Sequence, residues 1–510
     1  MARRTSQRAG NPRILIVTPE ISYLPSEMGT MARHICAKVG GLADVTASLV
    51  AALFELGADV HVALPHYRRM FHMDVGRLIN GELRLYKSAL PDSRIHLAED
   101  RIFYYRGEVY GQHHDEESRR LALAFQREVV NNIIPKVNPD LIHCNDWMTG
   151  LIPGMARRMD VPSLFTIHNI HTHKITLDRI EDAGIDAAEF WPCLYYTMMP
   201  GSYEDTRWSN PVDLLASGLF AAHFVNTVSP TFLDEICGWK HDFVPAHVRD
   251  EIIAKKASGC AFGILNAPDR SFNPRNDELI EYRYSAESHV DGKKRNKLRL
   301  QERLGLVQDG DVPLLFWPSR LDPVQKGPQL FADVLYDVVS SHWESGLQVV
   351  IVANGPYQEP FHNIVRFHDF YPRVAVCDFD EGLSRLGYAA SDFLLMPSLF
   401  EPCGLPQMIG AIYGSLPIVH ATGGLRDTVS HLSPDGSSGN GFVFETYDSG
   451  GLFWAIGEAM RFYGSPAARR EETVSRIMAD SVKTFNHAVT AKSYFSLYER
   501  MLKRPIVKTL

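Results

Sequence analysis

The sequence predicts an α/β protein of two Rossmann-like, doubly wound domains facing a central cleft. Three observations predict it: short apolar strand runs separated by helix-length intervals, a length beyond one core, and glycine-centred signatures in both halves. At 510 residues the chain exceeds the size at which a single core keeps growing, so two domains of roughly 200–250 residues are the natural division. In the first half the strand runs are Arg13–Thr18, Asp59–Pro65, Leu141–Cys144, Ser163–Ile167 and Phe224–Val228. In the second they are Pro313–Trp317, Leu347–Ala353, Arg373–Cys377, Phe393–Met396 and Pro417–His420. Between the two series lies the breaker-rich Asn266-Ala-Pro-Asp-Arg-Ser-Phe-Asn-Pro274, which marks the boundary. The expected division is therefore a tail over 1–10, a first domain over 11–265, a second over 266–485 and a C-terminal helix over 486–510.

Composition removes several function classes. A hydrophobic share of 45% is that of a folded globular protein, and a formal charge of −8 argues against general nucleic-acid affinity. Any anion site must then be built locally. The seven cysteines are odd in number and contain no C-x-x-C pair, which fits reduced thiols and a cytoplasmic protein. The apolar run after the basic start, residues 14–17, is too short for a signal segment or a membrane span.

In open α/β sheets, ligands bind at the carboxyl ends of the strands, so residues immediately after the runs take priority. The first signature, Lys38-Val-Gly-Gly-Leu-Ala-Asp44, precedes a helical pattern, where backbone N–H groups can meet an anion; an ordinary turn is the competing account of Gly40 and Gly41. His143-Cys-Asn-Asp-Trp147 ends one strand and Thr166-Ile-His-Asn169 another, bringing Asp146 and His168 to one edge with the polar groups that sugar hydroxyls need. His143, His168, His171 and His173 lack the helical spacing of a zinc motif, so no metal is expected.

In Ser319-Arg-Leu-Asp-Pro-Val-Gln-Lys-Gly327, Arg320 and Lys326 follow a strand and can neutralise the phosphates of a nucleotide leaving group; a loop with two solvated cations is the alternative. In Phe400-Glu-Pro-Cys-Gly-Leu405, Glu401 can project from a strand-to-helix turn, or merely cap the following helix. Thr422, Gly423 and Gly424, in Thr422-Gly-Gly-Leu-Arg-Asp-Thr428, allow backbone N–H groups close to a phosphate; a plain connection is the other account.

These motifs, with Thr227-Val-Ser-Pro230, Ile264-Leu-Asn266 and Ala491-Lys-Ser-Tyr-Phe-Ser-Leu-Tyr498 in the expected order, resemble bacterial glycogen synthases and plant starch synthases from about Ile14 to the C-terminal helix. The resemblance implies a GT-B glycosyltransferase whose last helix returns to the first domain. It implies retaining transfer of glucose from a nucleotide sugar, ADP-glucose, to the non-reducing end of an α-1,4-glucan, without metal or other cofactor. Carried over, Lys38, Gly40 and Gly41 line the donor pocket, Asp146 and His168 hold glucose, and Arg320 and Lys326 bind the diphosphate. Glu401 supports the oxocarbenium charge and Thr422, Gly423 and Gly424 cradle phosphate, with Asn266 also in the substrate set. Domain closure would exclude water.

The sequence departs from the family pattern at Met148 for His, Leu399 for Arg, Ala216 for Lys and Lys174 for a loop glycine. Arg320 and Lys326 stand one residue further apart than usual, Asn266-Ala-Pro replaces Asn-Gly, and Asn354-Gly-Pro356 replaces Gly-x-Gly. A different sugar donor or acceptor, or a catalytically silent glucan-binding paralogue, are the alternatives these departures raise. Retention of the sugar and phosphate groups together favours activity. A phosphorylase would be longer and carry a pyridoxal phosphate lysine motif, and an NAD enzyme would carry G-x-G-x-x-G after its first strand.

Overall fold

The computed structural model describes residues 10–29, 31–71, 94–109, 115–355 and 357–507; Pro356 and residues 1–9 of the expected tail lie outside them. The chain divides into two units. The first comprises Met1–Val228, Leu233–Ile264 and His487–Leu510; the second comprises Ser229–Phe232 and Leu265–Asn486.

The first unit holds a sheet of β1 (Arg13–Val17), β2 (Asp59–Pro65), β3 (Ile95–Ala98), β4 (Leu141–Asn145), β5 (Ser163–Ile167), β8 (Phe224–Thr227) and β9 (Ala261–Gly263), in the order β3-β2-β1-β4-β5-β8-β9. All pairings within it are parallel. A small antiparallel pair, β6 (Lys174–Ile175) and β7 (Val212–Asp213), stands apart. Strands β1, β4 and β5 are almost wholly buried, as parallel strands covered on both faces must be. Helix α1 (Gly41–Glu55) begins at Gly40, and the C-terminal helix α2 (His487–Leu502) lies in the same unit.

The second unit holds β10 (Leu314–Arg320), β11 (Gln348–Asn354), β12 (Val374–Cys377), β13 (Phe393–Met396), β14 (Leu416–His420) and β15 (Phe442–Phe444), ordered β12-β11-β10-β13-β14-β15 and again parallel. Alternate residues feed two cores: Leu315, Trp317, Val349 and Ile351 pack on one face, and Leu314, Phe316, Val350 and Val352 on the other. This period of two, apolar in both phases, is the signature of a strand buried between helix layers. Helices α3 (Pro406–Tyr413) and α4 (Gly423–Thr428) follow β13 and β14.

All ten runs read from the sequence are strands. The elements it missed are β3, β9 and β15, which lie at sheet edges, together with the two-residue β6 and β7. Edge strands need less apolar sequence, and these run to only three or four residues, with His96 in β3 and Gly263 ending β9.

In each sheet the strand order reverses once, between β1 and β4 and between β10 and β13. Ligands of doubly wound sheets bind at the carboxyl ends flanking such a switch point. The segments leaving those four strands carry Glu20, Asp146, Arg320 and Glu401.

Candidate active site

In the first unit the site is built from neutral hydrogen bonds around one carboxyl group. Asp146 follows β4 with φ 56° and ψ 179°, a conformation that glycine adopts and other residues hold at a cost of about 1–3 kcal/mol. Its own N–H donates to the Thr166 carbonyl at 3.0 Å, Oδ1 accepts the His168 N–H at 2.8 Å, and Oδ2 accepts Asn169 Nδ2–H at 3.1 Å. The carboxyl is 5% exposed, and burial pushes it up to about 7 against the pull of those bonds, with nearby Glu20 adding repulsion.

Burial also holds the His168 imidazole down to about 4, so the ring is neutral at physiological pH. Asn145 fixes its tautomer. Asn145 Nδ2 donates to the Val17 carbonyl at 3.1 Å, which turns Oδ1 toward His168 Nε2 at 3.0 Å. Nε2 must therefore carry the proton, leaving Nδ1 as an acceptor.

A second network fixes β4 from behind. Thr166 Oγ1 donates to Asn226 Oδ1 at 2.6 Å, so it accepts from His143 Nε2–H at 2.6 Å. Burial keeps His143 neutral, at about 3, and its Nδ1 accepts the Tyr498 hydroxyl of α2 at 2.7 Å. His143 is thus a structural histidine. His171 and His173 face each other, Nε2 to Nε2 at 3.1 Å, with Trp147 packed on His173. Among the described residues no group of three or more His, Cys, Asp or Glu is arranged to hold a metal ion.

Gly40 caps α1 in extended conformation with no side-chain cap, and Lys38 Nζ pairs with Asp44 in the first helical turn at 2.8 Å. An acid at that end is favoured by the helix dipole, and it holds the Lys38 cation beside the glycine loop.

In the second unit the site is organised by an ion pair. Lys326 Nζ lies 2.5 Å from Glu401 Oε2, which also accepts the Ser398 hydroxyl at 3.3 Å. Glu401 is buried and the lysine partly so. Among the described residues the carboxylate makes no bond to the N–H groups of α3, so it is not acting as a helix cap. The lysine loop is shaped by Asp322, whose Oδ1 accepts the N–H groups of Val324 and Gln325, and by Gly327 at φ 68°. A side chain at Gly327 would meet the Pro397 carbonyl at 2.0 Å.

Thr422 precedes α4, and the two glycines after it let that helix start against the Glu401 turn. A Cβ on Gly423 would stand 2.0 Å from the Glu401 carbonyl oxygen, and one on Gly424 2.0 Å from that of Cys403. The Gly424 N–H donates to the Glu401 carbonyl at 3.0 Å, so the motif clamps the carboxylate's backbone. Arg320, at the end of β10, is exposed and makes no side-chain hydrogen bond or ion pair among the described residues. Asn266 is buried, yet its Oδ1 has no partner among the described residues. An orphaned acceptor of this kind costs about 1–3 kcal/mol unless water or a ligand donor meets it.

The structure thus brings Asp146 to His168, and Lys326 to Glu401 and the Thr422–Gly424 segment. It sets Arg320 apart on its own strand end. Of the departures, Met148 and Ala216 are buried in packing, whereas Leu399 is 41% exposed beside Phe400 and Glu401. Sequence reasoning missed Glu20 and Asn145; Glu20 lies three residues past β1, where the strand-end rule applied to it as it did to Asp146.

Comparison with known proteins completes the picture. Residues 13–243 match the starch synthase catalytic domain, and residues 312–461 match glycosyl transferases group 1. A glycogen synthase of Syntrophotalea carbinolica is 32% identical over 500 residues, covering 92% of this chain and 96% of its own. One from Cellvibrio japonicus is 33% identical over 492 residues, covering 91% and 96%. The chain belongs to the glycogen and starch synthase family. It is a GT-B glycosyltransferase, and its reaction is glucosyl transfer in glycogen or starch synthesis. The catalytic domain of starch synthase IV from Arabidopsis thaliana, solved bound to ADP and acarbose, superposes with a TM-score of 0.75 at 25% identity, covering 97% of this chain and 100% of that one. Sucrose-phosphate synthase from Thermosynechococcus elongatus shares the fold alone, with a TM-score of 0.55 at 16% identity, covering 96% and 99%. Among the described residues no helix is long and apolar enough to cross a membrane.

Proposed function

We propose that this synthase takes ADP-glucose as donor and adds its glucose, with retention, to the non-reducing 4-hydroxyl of an α-1,4-glucan. The Lys326–Glu401 pair, locked against the Thr422-Gly-Gly segment, carries this reading, because it sets a cation for phosphate beside a carboxylate for a positive anomeric centre. ADP and acarbose bound in the starch synthase IV structure support the substrate classes.

In this reading Arg320 and Lys326 bind the diphosphate, with Thr422, Gly423 and Gly424 beside it. As the bond from the anomeric carbon to the phosphate oxygen breaks, negative charge grows on ADP and these cations stabilise it. The acceptor oxygen attacks from the same face, and its proton passes to the departing phosphate oxygen, so no nucleophile is needed opposite, unlike in retaining hydrolases. Glu401 balances the oxocarbenium charge through space. Asp146 and the free Nδ1 of His168 receive sugar hydroxyls, Lys38, Gly40 and Gly41 line the donor pocket, and the orphaned Asn266 oxygen accepts a further donor hydrogen. The seven free cysteines and a metabolite donor fit a cytoplasmic protein.

The test is release of ADP or UDP from ADP-glucose or UDP-glucose, with and without glycogen, followed by linkage analysis. Glycogen-dependent ADP release with α-1,4 extension is expected. UDP release alone would move the donor assignment, and no release from either donor by folded protein would end it.

A further inference from the structure

The glycine loop before α1 is anchored by a carboxylate from the neighbouring strand end. An antiparallel bridge makes this possible: Ile21 N–H donates to the Ala37 carbonyl at 3.0 Å and Ala37 N–H to the Ile21 carbonyl at 2.8 Å. Glu20 on one side of the bridge is thereby set against Lys38–Gly40 on the other. Glu20 Oε2 then accepts the N–H of Val39 at 2.8 Å and of Gly40 at 3.3 Å.

The arrangement is rigid. Glu20 is 2% exposed, its carbonyl accepts the Thr18 hydroxyl at 2.8 Å, and the carbonyl of Pro19 accepts the buried Tyr67 hydroxyl at 3.0 Å. Ser22 N–H donates to the Ala43 carbonyl at 3.3 Å, tying the bridge to the first turn of α1. Two partly buried N–H bonds to a carboxylate are of the charge-assisted kind, roughly twice as strong as neutral ones.

N–H groups just before a helix are anion ligands by default. Here Glu20 takes two of them, so a phosphate cannot, and their direction is fixed by a residue that precedes the loop by nearly twenty positions. The Lys38 cation, which faces Asp44, is carried on the same short segment.

We propose that Glu20 is a positioning residue for glucosyl transfer: its carboxylate holds Val39 and Gly40 so that Lys38 and the start of α1 are presented to the nucleotide sugar in one conformation, and it reserves those two N–H groups against anions. This rests on the reading that Lys38, Gly40 and Gly41 serve the donor.

Three variants separate geometry from charge. Glu20→Ala removes the acceptor. Glu20→Asp keeps the charge but withdraws it by one methylene. Glu20→Gln keeps an acceptor oxygen without charge. Hydrogen exchange of the segment 38–41 and steady-state kinetics are measured on each, with Lys38→Ala alongside. Exchange is expected to rise about tenfold or more in Glu20→Ala and Glu20→Asp, with donor KM up by about tenfold and kcat changed less; Glu20→Gln should stay within about threefold of wild type in both. Unchanged exchange in both Glu20→Ala and Glu20→Asp would overturn the anchoring. Loss of kcat in Glu20→Gln equal to that in Glu20→Ala would overturn a positioning role in favour of a chemical one. If Glu20→Asp leaves KM unchanged while Lys38→Ala raises it, the proposal fails and the loop assignment stands; if neither moves KM, the loop assignment itself fails and takes the proposal with it.

Discussion

Replacing Asp146 by Asn should change the pH dependence of stability by an amount the structure fixes. The folded carboxyl stands at about 7 against an ordinary value of 3.8, chiefly through burial. Between those values the folded protein keeps a proton that the unfolded chain has released. Its contribution is therefore complete below the unfolded value and is lost as pH rises through about 7, with a slope near 1.4 kcal/mol per pH unit. From about pH 5 to about pH 8 the loss comes to about 2–3 kcal/mol, two units of slope before it levels off.

Asn cannot ionise, so the stability difference between wild type and Asp146→Asn isolates this group from every other titration. Unfolding followed at both pH values should show the variant gaining about 2–3 kcal/mol relative to wild type at the higher pH, or roughly 5 °C in the transition of the first unit. The variant also starts from a deficit. Its amide has one acceptor oxygen where both carboxyl oxygens accept, so either the His168 N–H or Asn169 Nδ2–H faces an N–H₂ group. A difference that stays constant from about pH 5 to about pH 8 would refute the assignment of a raised carboxyl at Asp146.

Other outcomes follow from the same geometry. Glu401→Gln should abolish transfer, by about 10³-fold or more, while tightening ADP binding because the Lys326 cation loses its intramolecular partner; retained turnover with unchanged ADP affinity by calorimetry would contradict both roles. Arg320→Ala should leave the melting temperature nearly unchanged, since the side chain is exposed and makes no ion pair among the described residues, yet weaken donor binding by about 1.5–3 kcal/mol in KM measurements. Gly423→Ala should cost both stability and kcat, because its Cβ meets the Glu401 carbonyl at 2.0 Å and displaces the Glu401 turn; wild-type thermal unfolding would contradict this close approach. Tyr498→Phe should lower stability by about 1–3 kcal/mol in denaturant titrations by leaving His143 Nδ1 buried without its donor.

The fold was legible because parallel strands write themselves as continuous apolar runs. Ile14–Val17, Val349–Val352 and Phe393–Met396 need no partner information to be recognised, and the order of such runs with helices between them leaves little topological freedom. The strand-end rule then selected Asp146, His168, Arg320 and Glu401 from sequence position alone. Pairing was another matter. That Lys326 meets Glu401 depends on how the β10 and β13 loops turn over neighbouring strands, and no spacing records it. Asn145 lay inside a motif already quoted, but its role is a choice of amide orientation set by the Val17 carbonyl on the adjacent strand. Glu20 was hidden by the residues between it and the glycines, since only the Ile21–Ala37 bridge makes them neighbours.

The two units also solve the electrostatic problem in opposite ways, and the difference bears on what each binds. Around Asp146 the hydrogen-bonding rings are neutral: His168 and His143 are held uncharged, and burial with the nearby Glu20 charge pushes the carboxyl up to about 7. In the proposed reading such groups would discriminate sugar hydroxyl positions by donor and acceptor direction, where a missing partner leaves a buried polar group unpaired and the selectivity is large. Around Glu401 the groups are charged, and Arg320 is left without a counterion among the described residues. A paired cation at Lys326 and an unpaired one at the end of β10 suit a ligand that brings its own negative charge and increases it during reaction. In the proposed reading donor phosphate is that ligand, and leaving-group charge is where a glucosyl transfer most needs stabilisation. The departures from the family pattern follow the same division. Met148 and Ala216 are absorbed into packing in the neutral half, while Leu399 sits exposed where the resemblance expects an arginine beside the charged turn. Leu399→Arg is therefore the substitution that should alter donor or acceptor preference without touching the fold; identical kcat/KM values for every donor and acceptor tried would show that this position faces neither.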